Sequence, residues 1–338
     1  MNSKELVYRT LEFRNNDRAP RQIWVLPWAE NNYPEEVKKI KEDFPDDIFQ
    51  GVPSYFEKES VTKGDPYEYG EFVDVWGCIF QNKNRGIIGE VKEPLVSWDD
   101  EDWEDTSRIH IPEEWLTINR DKINEFCKTS DKFLMASACP RPFERLQFIR
   151  GTEQLYIDLM FRPRKMLEFM EKMHDFYCRL MKAWAETDVD ALIFMDDWGS
   201  QKSLLINPKI WEEIFKPMYR DYIEIAHKHG KKIFMHSDGY ILDIIPHLID
   251  LGLDALNSQI FCMGLENLKQ FKGHITFWGE IDRQGLLPNA TTKEIEDAVI
   301  NVRKSLWADG GCIAQCEFGP GAKPENVYKV FETWTKLK

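Results

Sequence analysis

Short apolar runs alternate with amphipathic helical patterns along the carboxyl-terminal two thirds of the chain. The apolar runs predict strands at 133–136, 191–195, 232–235, 254–257, 275–278 and 311–314. Helical periodicity predicts helices at about 151–186, 207–229, 241–251, 264–271 and 293–307. Strands that alternate with helices form βαβ units, so this pattern predicts a parallel sheet.

The amino-terminal third adds a predicted first strand at 23–26 and a candidate strand near 73–80. Together these runs approach the eight strands that close a (β/α)8 TIM barrel. The remaining residues lie mostly within 28–130 and are expected to form a cap over the barrel mouth, within a single domain spanning 1–338. The alternative is an open doubly wound sheet. It would carry a glycine fingerprint after its first strand, and neither GxGxxG nor GxxxxGK[ST] occurs.

Local signals refine two segments. Asn207-Pro208 is a typical helix start and Gly230 a typical stop, while Pro217 is expected to kink or divide the helix between them. The segment 98–105, WDDEDWED, is strongly acidic and is predicted to be a solvated loop.

Charge and composition exclude several classes of protein. The 338 residues include 44 Lys+Arg and 58 Asp+Glu, a net charge of −14, which argues against nucleic acid or an anionic membrane as the main partner. The apolar runs are far shorter than the ~20 residues that a membrane-spanning helix needs. The charged start does not resemble a signal peptide, and seven scattered cysteines favour a reducing, cytoplasmic setting.

Reactive side chains follow four of the predicted strands at the point where each strand ends. These are Asp196, Asp197 and Trp198 after the first, His236 and Asp238 after the second, Glu280 after the third, and Cys316 and Glu317 after the last. In a parallel barrel all strand ends point to one face, and that face holds the active site. We therefore expect these side chains to converge.

The convergent set predicts a zinc site. A neutral imidazole, one or two carboxylates and a thiolate are typical zinc ligands, and catalytic zinc takes three of them with one open position. We expect His236, Cys316 and one of Asp238 or Glu280 to bind the metal, since side chains two apart on an extended segment share a face.

Each of these residues also has a purely structural interpretation. A lone His after a strand, such as His236, more often makes a structural hydrogen bond than binds a metal. Asp238-Gly239 alone is typical of a turn or helix cap, and a free Cys such as Cys316 is usually a small buried core residue. Asp196 and Asp197 are typical caps of the next element. Asp74 and Trp76 either line a pocket or belong to a hairpin in the cap. The functional interpretation rests on their shared position at strand ends.

The residues around this set carry a family resemblance. The matching segments are NDRAP near the start, DVWG at 74–77, DDWGSQKSLLINPKIWEEIFKPMYRDYI at 196–223, KKIFMHSDGYILDIIPHLIDLGLDALN at 231–257, ITFWGEIDRQGLLPNATTKEI at 275–295 and GGCIAQCEFGPGAKPENV at 310–327. In these segments the chain resembles the uroporphyrinogen decarboxylase superfamily, and within it the cobalamin-dependent methyltransferases and O-demethylases. The resemblance implies a (β/α)8 barrel with its cleft at the carboxyl ends of the strands.

The resemblance also separates two kinds of chemistry. The porphyrin decarboxylases share an amino-terminal Met-Arg-Gln-Ala-Gly-Arg segment, of which only Arg21-Gln22 survives here, so decarboxylation is disfavoured. The methyltransferases hold zinc with His-x-Cys after one strand and a Cys after the last. His236 and Cys316 match that pattern, whereas Asp238 stands in place of the middle cysteine.

The resemblance therefore implies a zinc-dependent methyltransferase that moves a methyl group between a small methylated ether or amine and the cobalamin of a partner corrinoid protein. Asp196 or Glu317 would act as the acid, and Trp76, Trp198 and Trp278, with Asp74 and Asp197, would contact the substrate. A homodimer is expected by family likeness. Two alternatives stay open: a metal-free carboxy-lyase like the decarboxylases, and a barrel that binds a small molecule without catalysis.

Overall fold

Eight parallel strands form one sheet that curls into a barrel in the computed structural model, which describes residues 1–58 and 60–337. The sheet order is β1-β11-β10-β9-β8-β7-β6-β2. The strands are β1 (Arg21–Val25), β2 (Ile48–Val52), β3 (Gly70–Val73), β4 (Ile79–Asn82), β5 (Glu90–Glu93), β6 (Phe133–Ala136), β7 (Ala191–Met195), β8 (Lys232–Ser237), β9 (Ala255–Ser258), β10 (Thr276–Trp278) and β11 (Cys312–Phe318).

Helices pack around the barrel and connect its strands, so the chain has the predicted (β/α)8 TIM-barrel fold. They are α1 (Ser3–Leu11), α2 (Pro27–Asn32), α3 (Pro34–Asp43), α4 (Arg120–Lys128), α5 (Pro142–Arg150), α6 (Thr152–Phe161), α7 (Arg164–Ala185), α8 (Pro208–Lys228), α9 (Ile245–Leu251), α10 (Ile260–Met263), α11 (Leu265–Leu268), α12 (Leu286–Asn289), α13 (Thr292–Leu306) and α14 (Pro324–Lys336). Across the described part of the chain, none of them combines the length and apolar character of a membrane span.

The barrel closes between β1 and β2, the two ends of the sheet order. The backbone N–H of Asp47 donates to the carbonyl of Arg21 at 2.8 Å. The N–H of Ile23 donates to the Asp46 carboxylate, also at 2.8 Å. These bonds satisfy backbone groups that an open sheet edge would leave unpaired.

The eighth barrel strand is β2, which the sequence pattern did not reveal. Gln50 and Gly51 interrupt its apolar run, and its register shifts between Gln50 and Val52 against β6. The candidate strand at 73–80 is not a barrel strand. Its two ends belong to β3 and β4, which pair antiparallel with β5 in a separate three-stranded sheet.

Two helix predictions need correction. The region 151–186 contains two helices, α6 and α7, because Pro163 follows the left-handed residue Arg162 and restarts the chain. By contrast, α8 runs through Pro217 without being divided. A proline inside a long helix removes a single backbone bond, and the buried face of α8 on either side holds the helix together.

The acidic segment 98–105 is not simply a solvated loop. Trp103 is buried, and its indole N–H donates to the carboxylate of Asp158 at 2.8 Å. The same carboxylate oxygen accepts from Nε of Arg150 at 2.6 Å, with both side chains buried. An aromatic anchor and a buried ion pair therefore hold the loop against α5 and α6.

Side chains of each strand alternate between two cores. Phe133, Ile193, Phe234, Trp278 and Ile313 fill the barrel interior. The alternate positions pack outward against the surrounding helices, in a second and larger apolar core. Because successive side chains of a strand point to opposite faces, the same alternation decides which residues at the strand ends face the mouth.

Candidate active site

His236 is the penultimate residue of β8 and presents one nitrogen to the barrel mouth. Its Nδ1 lies 2.6 Å from Oδ1 of Asn257, the residue aligned with it on β9. The amide nitrogen of Asn257 donates in turn to the carbonyl of Trp278. Because the Asn257 oxygen must accept, Nδ1 of His236 donates its proton to it, and Nε2 is the ring nitrogen that faces the mouth.

Two carboxylates face Nε2 of His236. Oδ1 of Asp197, which follows β7, is 3.5 Å from His236 Nε2, and Oδ1 of Asp238 is 3.6 Å away. The three donor atoms lie within 4.8 Å of one another. Oδ1 of Asp238 is buried and has no hydrogen-bond partner.

This geometry fits a divalent metal ion. Two ligands about 2.0–2.1 Å from a tetrahedral zinc are about 3.3 Å apart, close to the distances between His236 Nε2 and the two carboxylates. A metal-binding imidazole usually donates its other ring N–H to a nearby oxygen, as His236 does to Asn257. A positive charge is therefore favoured between Asp197 and Asp238.

Burial shifts the proton equilibrium of one of these ligand carboxylates. It raises the pKa of Asp197, against which His236 acts to lower it, while Asp238 and Glu144 raise it further. A divalent ion between the donors would offset this repulsion.

Arg283 occupies the opposite side of the mouth. Its guanidinium contacts the second oxygen of Asp238, lies 3.1 Å from Oε2 of Glu317, and lies 3.5 Å from Oε1 of Glu280. The arginine thereby fixes Asp238 so that Oδ1 faces His236. The side chains of the mouth remain predominantly acidic, because one guanidinium is shared by three carboxylates.

Glu280 lies at the barrel mouth and has a strongly raised pKa. Its side chain is 1% exposed, and neither carboxyl oxygen has a hydrogen-bond partner. Burial raises its pKa from 4.5 to about 8, although Arg283 acts in the opposite direction. Glu280 therefore holds a proton at neutral pH, and it lines a cavity beside Arg283. It is not part of the group around His236, so its predicted role as a metal ligand has no geometric support.

Cys316 does not face the mouth, and its predicted role as a metal ligand is corrected by the structure. It aligns with Ile23 of β1, and both pack in the core between the sheet and the helices. Burial raises the pKa of its thiol well above the ordinary value, so it is a neutral core residue. The next residue, Glu317, aligns with Trp24, whose ring lies 5.3 Å from that of His236.

Asp196 also points away from the mouth, so the structure does not support it as the acid. Its carboxylate accepts from the backbone N–H of Glu144 at 2.8 Å and from the hydroxyl of Tyr219 at 2.6 Å. These bonds satisfy a free N–H group in the first turn of α5. Burial raises the pKa of Asp196 well above its usual value, and no route to the mouth is open to its proton.

Two of the predicted substrate-binding tryptophans are core residues. Trp198 stacks on Phe143 at 4.0 Å between ring centres and is fully buried. Trp278 lies inside the barrel, where its indole N–H donates to Gln22 at 2.7 Å. Their size explains the error, because the barrel interior and the helix layer consume large side chains as readily as a binding pocket does.

Asp74 and Trp76 do line a cavity, which we call the aromatic chamber. It has a volume of about 760 Å³, and its aromatic walls are Phe72, Phe80, Trp115, Phe148, Tyr177 and Trp184. Asp74 pairs with Arg145, whose guanidinium lies 4.9 Å from the centre of the Trp76 ring. The separate β3–β5 sheet thus supplies one wall and α5 and α7 the others.

The aromatic chamber opens toward the barrel mouth. Ser137 and Cys139, which directly follow β6, belong to its lining. Glu144 also lines it, and the charge of Glu144 raises the pKa of Asp197. The chamber therefore lies close to the group around His236.

Sequence reasoning missed Asn257 and Arg283, and it assigned Asp197 to substrate rather than to the group around His236. Asn257 is a polar residue at the carboxyl end of a predicted strand, and this is the same signal that identified His236. Arg283 lies in a loop three residues beyond Glu280. In a loop the strand pattern does not predict the direction in which a side chain points.

Comparisons with known proteins agree with this fold. The model of the uroporphyrinogen decarboxylase (URO-D) family matches residues 83–337. No curated protein gave a significant match. A methyltransferase from Methanosarcina mazei aligns over 100% of this chain and 99% of its own, with 13% identity and a TM-score of 0.67. A family 10 endo-β-1,4-xylanase from Gloeophyllum trabeum aligns over 71% of this chain and 86% of its own, with 12% identity and a TM-score of 0.42, too low to support an argument.

Proposed function

Because the chain belongs to the uroporphyrinogen decarboxylase family, we propose that it is a zinc-dependent methyltransferase of that family, with His236, Asp197 and Asp238 as metal ligands. The observation that carries this proposal is the position of His236 Nε2, which faces two carboxylate oxygens while Nδ1 is held by Asn257. The M. mazei methyltransferase shares this fold, which agrees with the proposal.

The donor set determines the kind of methyl group that is transferred. His236, Asp197 and Asp238 would hold the zinc without a thiolate, and zinc so held would supply Lewis-acid activation of a methyl ether or amine. Asn257 keeps His236 in the correct tautomer, and Arg283 keeps Oδ1 of Asp238 in place. Glu280 gives its proton to the oxygen or nitrogen from which the methyl group departs.

The methyl acceptor is proposed to be the cobalt of a corrinoid carried by a partner protein that docks over the barrel mouth. The methyl group would leave its heteroatom without the bonding electron pair, and a reduced corrinoid would supply the pair for the new bond. The heteroatom keeps the old pair and takes the proton of Glu280. This partner rests on the family resemblance of the segments around His236 and Glu280.

The aromatic chamber supports a small aromatic methyl ether or a comparable apolar methylated compound as substrate. Most of the residues that line the chamber are aromatic or aliphatic, and its volume suits a small organic molecule. A porphyrinogen with many carboxylates is disfavoured, because Arg283 is already paired with the carboxylates of Asp238 and Glu317.

Metal analysis combined with a methyl-transfer assay tests the proposal. We expect about one zinc per chain at the mouth and formation of methylcobalamin from free cob(I)alamin with aromatic methyl ethers or methylamines as donors. Turnover of a porphyrinogen by the metal-stripped protein would support the metal-free lyase instead. Ligand binding with no turnover in either assay would support the non-catalytic barrel.

Substitution of Asn257 tests the outer support of the metal site. Asn257→Ala leaves His236 Nδ1 without its partner, so we expect zinc affinity to fall about 10–100-fold. Asn326→Ala is the matched control, because Asn326 is equally buried but bonds to the carbonyls of Leu287 and Ala290. Equal zinc affinity in both variants, measured by competition with a chelator, would contradict the assignment.

Substitution of Trp115 tests the aromatic chamber. Its ring lines the cavity while its indole N–H donates to Ser60 at 2.9 Å. Trp115→Ala is expected to raise KM about tenfold with kcat nearly unchanged, since the ring binds the ground state and the transition state equally. Tyr69→Ala, at an exposed aromatic outside the chamber lining, is the control. An unchanged KM in Trp115→Ala would place the substrate elsewhere.

A further inference from the structure

A second group of metal-binding side chains lies outside the barrel, between α7 and α8. His174 and Cys178 are one turn apart on α7, and Asp221 reaches them from α8. His174 Nε2 is 2.9 Å from Oδ2 of Asp221 and 3.6 Å from Sγ of Cys178. One ligand atom from each residue lies within 4.8 Å of the other two.

The spacing matches a tetrahedral zinc site. A nitrogen at about 2.0 Å and a sulfur at about 2.3 Å from zinc are about 3.5 Å apart, close to the distance between His174 and Cys178. The oxygen of Asp221 is closer to Nε2 because the two groups share a hydrogen bond. Its side chain is half exposed and free to move back as a metal enters.

The surroundings favour a cation and supply an outer partner. Tyr222 is buried, and its hydroxyl lies 3.2 Å from His174 Nδ1, where it accepts the ring proton when Nε2 binds a metal. Burial raises the pKa of Cys178 to about 12, and Asp221 and Asp175 add to this rise. A bound metal ion would have to displace the thiol proton to solvent, and its charge would offset the repulsion between the thiolate and the carboxylates.

We propose that His174, Cys178 and Asp221 form a second zinc-binding site, distinct from the mouth and independent of the proposed methyl transfer. Its three ligands clamp α7 to α8, the helices on either side of β7 in the chain. Asp197 is the second residue beyond the end of that strand. The exposed side of the cluster leaves the fourth position to water.

Donor chemistry distinguishes this site from the mouth in a single experiment. Only the outer site contains a thiolate, so only it gives a sulfur-to-metal charge-transfer band when Co²⁺ replaces zinc. We expect the His236→Ala variant, in which the mouth site is broken, to develop this band with about one Co²⁺ per chain. The band should disappear on addition of excess zinc.

Matched variants locate the sulfur. Cys178→Ser, made in the His236→Ala background, should abolish the band and the rise in Tm that zinc produces. Cys127→Ser, at another half-buried cysteine outside the cluster, should retain both. Loss of the band in Cys127→Ser, its persistence in Cys178→Ser, or its absence in His236→Ala would overturn the proposal. Absence of methyl transfer, by contrast, would overturn only the proposed function.

Discussion

The His236→Ala variant is expected to be purified without zinc at the mouth and to lose methyl transfer by at least about a thousandfold, equivalent to about 4 kcal/mol in the transition state. The imidazole is the single nitrogen ligand, and Asp197 and Asp238 would face each other without it. Zinc content and initial rates with a methylated donor and cob(I)alamin measure the effect. The comparison uses the Cys178→Ser background, so that the outer site contributes no zinc.

Cys316→Ala is the informative comparison for His236→Ala. Cys316 lies in the outer core, so its truncation is expected to cost about 1 kcal/mol of stability while zinc and activity remain. Loss of the mouth zinc in Cys316→Ala would show that the sulfur reaches the metal after all. Full activity in His236→Ala would remove the metal from the mechanism.

Glu280→Gln is expected to have the second-largest effect, because it removes a proton that the site holds at neutral pH. We expect methyl transfer to fall about 100-fold, since Gln occupies the same space but has no acidic proton. Zinc content should stay unchanged, because Glu280 lies outside the group around His236. Loss of zinc in this variant would instead make Glu280 a ligand.

The same substitution should change how stability depends on pH. Glu280 has a pKa of about 8 in the folded protein and 4.5 as its reference value, so the native state binds its proton more tightly. Its contribution to stability is complete below pH 4.5 and is lost as the pH rises to 8. Relative to Glu280→Gln, the wild type should therefore lose about 2–4 kcal/mol between pH 5 and pH 8.

Urea unfolding of the metal-free protein across this pH range measures the difference. Glu266→Gln, at an exposed glutamate on α11, is the control and should follow the wild type at every pH. Parallel stability curves for Glu280→Gln and the wild type would mean that Glu280 is already ionised at neutral pH. It would then be unable to serve as the acid.

The sequence determined the barrel and the end of each strand at which its chemistry lies. Runs such as 191–195 and 232–235 are apolar on both faces because a parallel barrel buries both, and that signal is local. His236 and Asp238 follow such a run directly, so both were found at the mouth. β2 was missed because Gln50 and Gly51 conceal its apolar run.

Only the tertiary structure decided which side chains at those ends face inward. Asp197 and Glu317 reach the mouth, whereas their neighbours Asp196 and Cys316 point outward. Neighbouring residues at a strand end point to opposite faces of the sheet. In this sequence, reactive side chains occur at both positions, so the sequence alone does not show which of them faces the mouth. The choice depends on how β7 and β11 are rotated by pairing with adjacent strands and by the two cores that they separate. That rotation is set by contacts between residues distant in the chain.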